Sequence, residues 1–451
     1  MHIELKKTHS SGELMSRVFV YCVFIFSLEY ALYIVSGVLL DGLIKISSLA
    51  LLMVFALKPS NRINRMEVNL LLFYVMLFVA AALPSILSGD ITGSLVLVKY
   101  LYMAMILPVL LICYRSIPNC DDLLISTFIA IGVLFSVQAI VACIGVFFGF
   151  FDKSQVVQIP RYNDMDIVNF GVWGFGNAIQ SPFSDFKILR PQGWFLEPSL
   201  LAAFLLLPAF VSIGRYKVYR LKRYFISAFL NFFAILLTLS LAGYLGVVCA
   251  VLLVSCSKFC YRHLKKIRVL KYSYVLPIFL VFFGLAFGLL NLLYVVNDID
   301  SNSVSDGQAA MTNLMGRDKD GTSGNLFRET YKSDNYIDVL MNSPFGLGFG
   351  SEAKSGKYKS GNALLFWFTA GGIPAVLIIM MMFTYIFLVF CHPLLISGNP
   401  IFNGLGASFV GHAIQNLSYG TWIAPYFLIH LGLVVMSARK VNPKFIENRF
   451  I

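Results

Sequence analysis

The chain has 451 residues, 58% hydrophobic and 13% charged, with a formal net charge of +12. Soluble domains run at about 45–50% apolar and about 25% charged, so a soluble enzyme is excluded and an integral membrane protein is expected. The surplus of Lys and Arg reads as a topology signal and not as a nucleic-acid surface.

One crossing takes about 20 apolar residues. Crossings are expected near Val18–Leu40, Leu43–Leu57, Val68–Leu87, Leu95–Tyr114 and Leu123–Phe148. The first is too long for the apolar region of a signal peptide and lacks a small-residue cleavage site, so no cleaved signal is expected. A polar loop covers 149–197, and the next crossing runs over Pro198–Ile213. The apolar run Phe225–Cys256 lies between two basic segments. At about 1.5 Å per residue it is too long for one crossing and barely long enough for two. It is expected to form a tight hairpin of short helices turning near Thr238–Tyr244.

Tyr272–Val296 crosses again, a second polar loop covers 297–361, and crossings near Gly372–Cys391, Phe402–Asn416 and Trp422–Met436 follow. The expected fold is therefore all-α and polytopic, one integral membrane domain over 1–451, with about twelve transmembrane helices and both termini on one side. Of the 35 Lys and Arg, 22 fall in the segments that topology makes cytoplasmic, against 6 acids; the two long loops hold 11 basic and 14 acidic residues. The positive-inside bias puts both termini in the cytoplasm and both loops outside.

Cysteine and histidine usage argues against several chemistries. All eight Cys lie in expected crossings or cytoplasmic segments, so neither loop is expected to hold an internal disulfide. None of the six His lies in a loop or at metal-ligand spacing, which argues against a metallohydrolase or a Ser-His-Asp site there. His412 and His430, inside late crossings, read as helix–helix hydrogen-bond partners. GxxxxGK[ST] is absent, and Gly346-Leu347-Gly348-Phe349-Gly350 lacks the strand-to-helix context of a nucleotide loop. No inverted repeat of the transporter kind is found.

The stretch that carries chemistry is Arg190–Ile213, where a polar segment ending in Glu197-Pro198 passes directly into an apolar helix. Pro suits a first helical turn and an acid before it faces the positive end of the helix dipole, so Glu197 reads either as a cap or as a reactive carboxylate. Arg161, Arg190 and Arg328 lie in the outer loops, and Arg suits phosphate because its planar fork gives two parallel charge-assisted hydrogen bonds. Lipid-headgroup or loop salt-bridge duty is the alternative for each. Trp173, Trp194, Trp367 and Trp422 all map to outer loops or outer helix ends, which suits an interfacial belt and also stacking on sugar rings. Three Asp-x-Asp pairs, Asp164/Asp166, Asp298/Asp300 and Asp318/Asp320, read as solvated loop charges, the alternative being a divalent cation held against diphosphate. Glu29 and Lys99, each costing about 2.5–3.5 kcal/mol if exposed to lipid at mid-bilayer, are expected to face the bundle or a watery cavity.

Three strings in order carry a resemblance. Arg190-Pro191-Gln192-Gly193-Trp194-Phe195-Leu196-Glu197-Pro198-Ser199 resembles the "R..G.f.EPs" segment of bacterial O-antigen and capsule polymerases. Leu237–Leu245, with Thr238, Ser240 and Gly243, is similar to the "lT.S..G.l" segment that follows in that superfamily. Arg328, then Asn342-Ser343-Pro344-Phe345-Gly346-Leu347-Gly348-Phe349-Gly350, then Gly361-Asn362 and Ala370-Gly371-Gly372-Ile373-Pro374, resembles its second-loop pattern. The related O-antigen ligases carry His before that Asn; here Gly361 stands there, which favours the polymerase branch over the ligase branch.

The resemblance implies a GT-C-like bundle in the bacterial inner membrane. It implies transfer of a growing glycan from undecaprenyl diphosphate onto a newly flipped lipid-linked repeat unit, building O-antigen or capsular polysaccharide. Catalytic roles then fall to Glu197 as base and to Arg190 and Arg328 on the diphosphate. Arg161, Gly193, Trp194 and Asn362 become substrate-binding residues. Neither ATP nor a nucleotide sugar is needed, and no metal or other cofactor is expected. The partners are lipid-linked glycans and the bilayer, with a chain-length regulator left open. An O-antigen ligase and a lipid-linked oligosaccharide flippase are the alternatives.

Overall fold

A computed structural model gives the fold. It describes residues 16–22, 25, 43–44, 46–51, 64–89, 97, 100–114, 117, 119–148, 150, 156–160, 167–171, 175–180, 187–193, 195, 198–264, 339–349, 363–418 and 424–441. The expected crossing Tyr272–Val296 lies outside them, as do most of the first two and the Asp-x-Asp pairs, Glu29 and Lys99.

The described residues are mostly helical. In chain order the helices are α1 (Arg65–Leu87), α2 (Ile106–Cys113), α3 (Cys120–Phe147), α4 (Pro198–Tyr219), α5 (Lys222–Leu237), α6 (Leu241–Leu264), α7 (Ala363–Ile386), α8 (His392–Ile396), α9 (Pro400–Ser418) and α10 (Pro425–Val441). A π-helical turn, Phe387–Cys391, joins α7 to α8. Four stretches, Arg65–Leu87, Cys120–Gly145, Pro198–Tyr219 and Ala363–Ile396, are long and apolar enough to cross a membrane.

Local chemistry sets several boundaries. Asn64 caps α1: its side chain accepts from Met66 N and its own N–H donates to Glu67 Oε2 at 2.9 Å, a reciprocal capping box. The expected turn is present, with α5 ending at Leu237 and α6 starting at Leu241, but the two helices pack mainly on other elements, α5 on α4 and α6 on α9, and not on each other as a tight hairpin would. Helix α6 runs on to Leu264, past the expected apolar limit. Helix α7 starts at Ala363, ahead of the expected Gly372. Gly371-Gly372-Ile373-Pro374 falls inside α7, and Gly372, at φ 62° and ψ −153°, is non-helical, so α7 is two helical segments joined at a kink.

The first polar loop departs from the all-α expectation. It holds two antiparallel hairpins, β1 (Val156–Pro160) with β2 (Ile167–Gly171), and β3 (Phe175–Gln180) with β4 (Lys187–Pro191). Short runs such as Val156-Val157-Gln158-Ile159 are β-branched and too brief to register at crossing length.

Helix α4 is the hub. Its residues from Pro198 to Ser212 are buried, and α9, α5, α3 and α6 pack around it. Small residues bring the backbones together: Gly246 on α6 and Gly411 on α9 lie against each other's carbonyl, where a side chain would overlap. Helix α5 shows the polarity of a lipid-immersed element. Ser227 and Asn231 point inward, Ser227 Oγ meeting Ser212 Oγ at 3.0 Å and Asn231 Oδ1 accepting from Ser136 Oγ at 3.1 Å. Phe225, Ile226, Phe229, Phe233 and Leu236 form the exposed stripe. Apolar outside and polar inside is the reverse of a soluble helix, and it marks a membrane protein.

Ion pairs define one end of the bundle. Glu67 at the start of α1 meets Arg439 of α10 at 3.1 Å, Asp121 at the start of α3 meets Lys440 at 2.5 Å, and its neighbour Asp122 meets Arg215 of α4 at 2.5 Å. The opposite end therefore gathers the end of α1, the starts of α4 and α10, and the α5–α6 turn.

Candidate functional site

At that opposite end the turn between α5 and α6 is built from its own hydroxyls. Thr238 Oγ1 donates to Ile235 O at 2.7 Å, and Ser240 Oγ accepts from Gly243 N at 3.2 Å as the cap of α6. Leu239 between them takes φ 47°. The Tyr244 hydroxyl closes the turn by donating to Leu236 O at 2.7 Å.

Arg190, half-buried at the end of β4, donates from Nε to Thr238 O at 2.8 Å. The first two strings that carry the resemblance, 38 to 55 residues apart at their nearest and farthest ends in a linear chain, are thus joined by a charge-assisted hydrogen bond. The chain then turns: Phe195 N donates to Gln192 O at 3.1 Å, and Gly193 sits at φ 58°, the left-handed region that glycine adopts without a Cβ penalty. Phe195 anchors the turn by inserting between Phe135 and Phe204, at 5.3 Å from each ring, with Tyr426 at 6.1 Å. Helix α4 begins three residues later, at Pro198 as expected. Gln415 of α9 donates to Ser199 O in its first turn.

The second-loop string docks at the same end. Leu347 N donates to Thr369 O at 2.8 Å, Gly348 N to Ala370 O at 2.9 Å, and Ile373 N back to Pro344 O at 2.9 Å, so the segment is laced to the kink of α7. Ser85 Oγ near the end of α1 donates to Phe349 O at 3.1 Å. Gly348, at φ 85°, lies against Ser85 where a Cβ would overlap.

Of the candidate residues, Arg190 and Gly193 are brought to this end. Arg161, Trp194, Glu197, Arg328 and Asn362 lie outside the residues whose side chains are described, as do Trp173 and Trp422. Trp367 departs from the sugar-stacking reading: it is 0% exposed, packed against Phe78, Phe349 and Phe366 at 5.6, 5.8 and 5.4 Å. It holds the second-loop segment to the bundle. His412 and His430 behave as expected for helix partners, with Nδ1 to Nδ1 at 3.1 Å across α9 and α10. No cluster of three or more His, Cys, Asp or Glu occurs among the described residues.

Sequence reasoning missed Gln192, Gln415 and Asn416, all buried at this end. The signal available was adjacent carboxamides inside an apolar run, Ala413-Ile414-Gln415-Asn416-Leu417. No family model and no curated protein matches the chain.

Proposed function

We propose that this protein is a glycosyltransferase of the O-antigen polymerase and ligase superfamily. It joins undecaprenyl-diphosphate-linked repeat units into O-antigen or capsular polysaccharide at the outer face of a bacterial inner membrane. The observation that supports this reading is the placement of the resembling strings at one end of a helical membrane bundle: Arg190 joins the first to the second at Thr238, and the third, laced within itself by Gly348 N to Ala370 O, is held at that end through Ser85. In this reading about twelve helices form a GT-C-like bundle, both termini are cytoplasmic and both long loops are periplasmic.

The reaction asks for few parts. Diphosphate is a competent leaving group, so the protein binds it, neutralises the charge growing on it and takes one proton from the acceptor hydroxyl. Arg190 and Arg328 bind the diphosphate with Arg161 as a third cation, and Glu197 accepts the proton. Gly193 lets the turn come close to the substrate, with Trp194 and Asn362 beside the glycan. The polyprenyl tail stays in the bilayer, each buried CH₂ contributing about 0.8 kcal/mol.

Purified protein given lipid-linked repeat units is expected to extend them with or without EDTA. Arg190→Ala and Glu197→Gln are expected to slow extension by about 10²-fold or more. Wild-type rates in both variants would remove their roles. In cells, loss of the gene is expected to leave a single repeat unit on the surface anchor. Long chains held on the lipid carrier would instead identify a ligase, and single units stranded inside a flippase.

A further inference from the structure

Beneath the Gln192–Phe195 turn lies a set of neutral polar groups without partners. Gln192 is 2% exposed, Gln415 and His412 1%, and Asn416 0%. Gln192 Nε2, His412 Nε2, Gln415 Oε1 and both side-chain polar atoms of Asn416 make no hydrogen bond among the described residues. A buried polar atom left unpaired is costly, so a group of five at one end of the bundle points to an occupant.

The neighbourhood is fixed by contacts. His412, Gln415 and Asn416 share one face of α9, at i, i+3 and i+4. Gln415 bonds Ser199 O at the start of α4. The Tyr426 ring stacks on His412 at 5.3 Å and 4°, and its edge meets Phe195 of the turn that carries Gln192.

The hydrogen-bond chain behind His412 sets its tautomer. Ser408 Oγ donates to Leu405 O at 3.0 Å, so it accepts from His430 Nε2 at 3.1 Å. The neutral His430 ring then has a lone pair on Nδ1, which accepts from His412 Nδ1. His412 Nε2 is left as an acceptor. The unpaired set therefore holds amide donors, from Gln192 and Asn416, and acceptors, from His412, Gln415 and Asn416, with no charge. A phosphate accepts only and favours cations. A hydroxyl both donates and accepts, and matches this set.

We infer that Gln192, His412, Gln415 and Asn416 form a hydroxyl-binding site for the sugar of the lipid-linked substrate, separate from the cation that takes the diphosphate. This rests on the glycosyltransferase reading and assigns it a division of labour: carboxamides for sugar, Arg190 for phosphate. Water offers the same chemistry, and the test separates the two.

The probes are the repeat-unit oligosaccharide freed of lipid and diphosphate, and undecaprenyl diphosphate alone, each titrated against full-length protein in detergent. Asn416→Leu removes two unpaired polar atoms and keeps the branching and number of side-chain heavy atoms, so it is expected to raise the unfolding temperature of the empty protein. It is also expected to weaken oligosaccharide binding by about tenfold or more, the loss of one or two good hydrogen bonds. Undecaprenyl diphosphate binding is expected to stay at the wild-type level. Gln192→Leu is expected to behave in the same way. Unchanged oligosaccharide affinity in both variants would mean that the site holds water only, and would overturn the inference. So would wild-type protein that binds undecaprenyl diphosphate but no oligosaccharide, leaving the proposed function standing. Binding of neither probe would remove the proposed function itself.

Discussion

Arg190 uses its Nε–H to hold a backbone carbonyl, which points its guanidinium at one place and fixes β4 to the α5–α6 turn. A lysine there would keep the charge and lose the fork. The placement of Arg190 and Gly193 beside the start of α4 was legible from sequence because both stand just ahead of a Glu-Pro helix start. The carboxamides were not legible, because nothing in a single sequence separates a buried Asn416 from one that faces a neighbouring helix. Trp367 failed for a related reason. Its place after the second loop suggested the interface, whereas Phe78 and Phe349, distant in sequence, close over it. At this scale Gly348→Ala is expected to destabilise the protein by about 1–3 kcal/mol, since the backbone sits at positive φ and Ser85 leaves no room for a Cβ. A fall in unfolding temperature in detergent checks it; an unchanged value would mean that the segment shifts without cost.

Among the elements, the helices followed from length arithmetic and the strands did not. The run Phe225–Cys256 had to turn back on itself, and Thr238 and Ser240 supplied the cap chemistry where it does. The hairpins of the first loop are held by strand pairing between residues up to 16 positions apart, a register that hydropathy does not carry. The polar ends of α3 and α4 meet in the pair of Asp122 with Arg215, whose guanidinium is 5% exposed while the carboxylate is 68% exposed. Asp122→Ala leaves that cation with Ser126 Oγ and a backbone carbonyl. It is expected to cost about 1–3 kcal/mol, read as lower thermal stability. Because Asp122 is open to water, an effect below about 1 kcal/mol would place the pair with surface salt bridges.

For the whole molecule, the charge pattern and the contacts agree on which helix ends lie together. Glu67, Asp121, Asp122, Arg215, Arg439 and Lys440 collect at one end. In the proposed topology, which follows the positive-inside bias, that end is the cytoplasmic one. In protein stripped of its native cysteines, Met341→Cys, at an exposed position of the second-loop segment, is expected to react with an impermeant maleimide in intact spheroplasts. Lys222→Cys at the start of α5 is expected to react only after lysis. The opposite pattern would invert the topology and move the candidate site to the wrong face for a flipped substrate.

Helix α5 has 16 residues, about 24 Å at 1.5 Å per residue, and its stripe of Phe225, Phe229, Phe233 and Leu236 faces outward. Hydrocarbon is about 30 Å thick, so if α5 crosses as the twelve-helix reading has it, the leaflets dimple inward along this flank to match it. The dimple lies beside Thr238 and Arg190. For the proposed glycosyltransferase, a carrier lipid drifting along that flank would ride with its phosphates sunk toward the guanidinium, and its polar head would travel less far from the water to reach it.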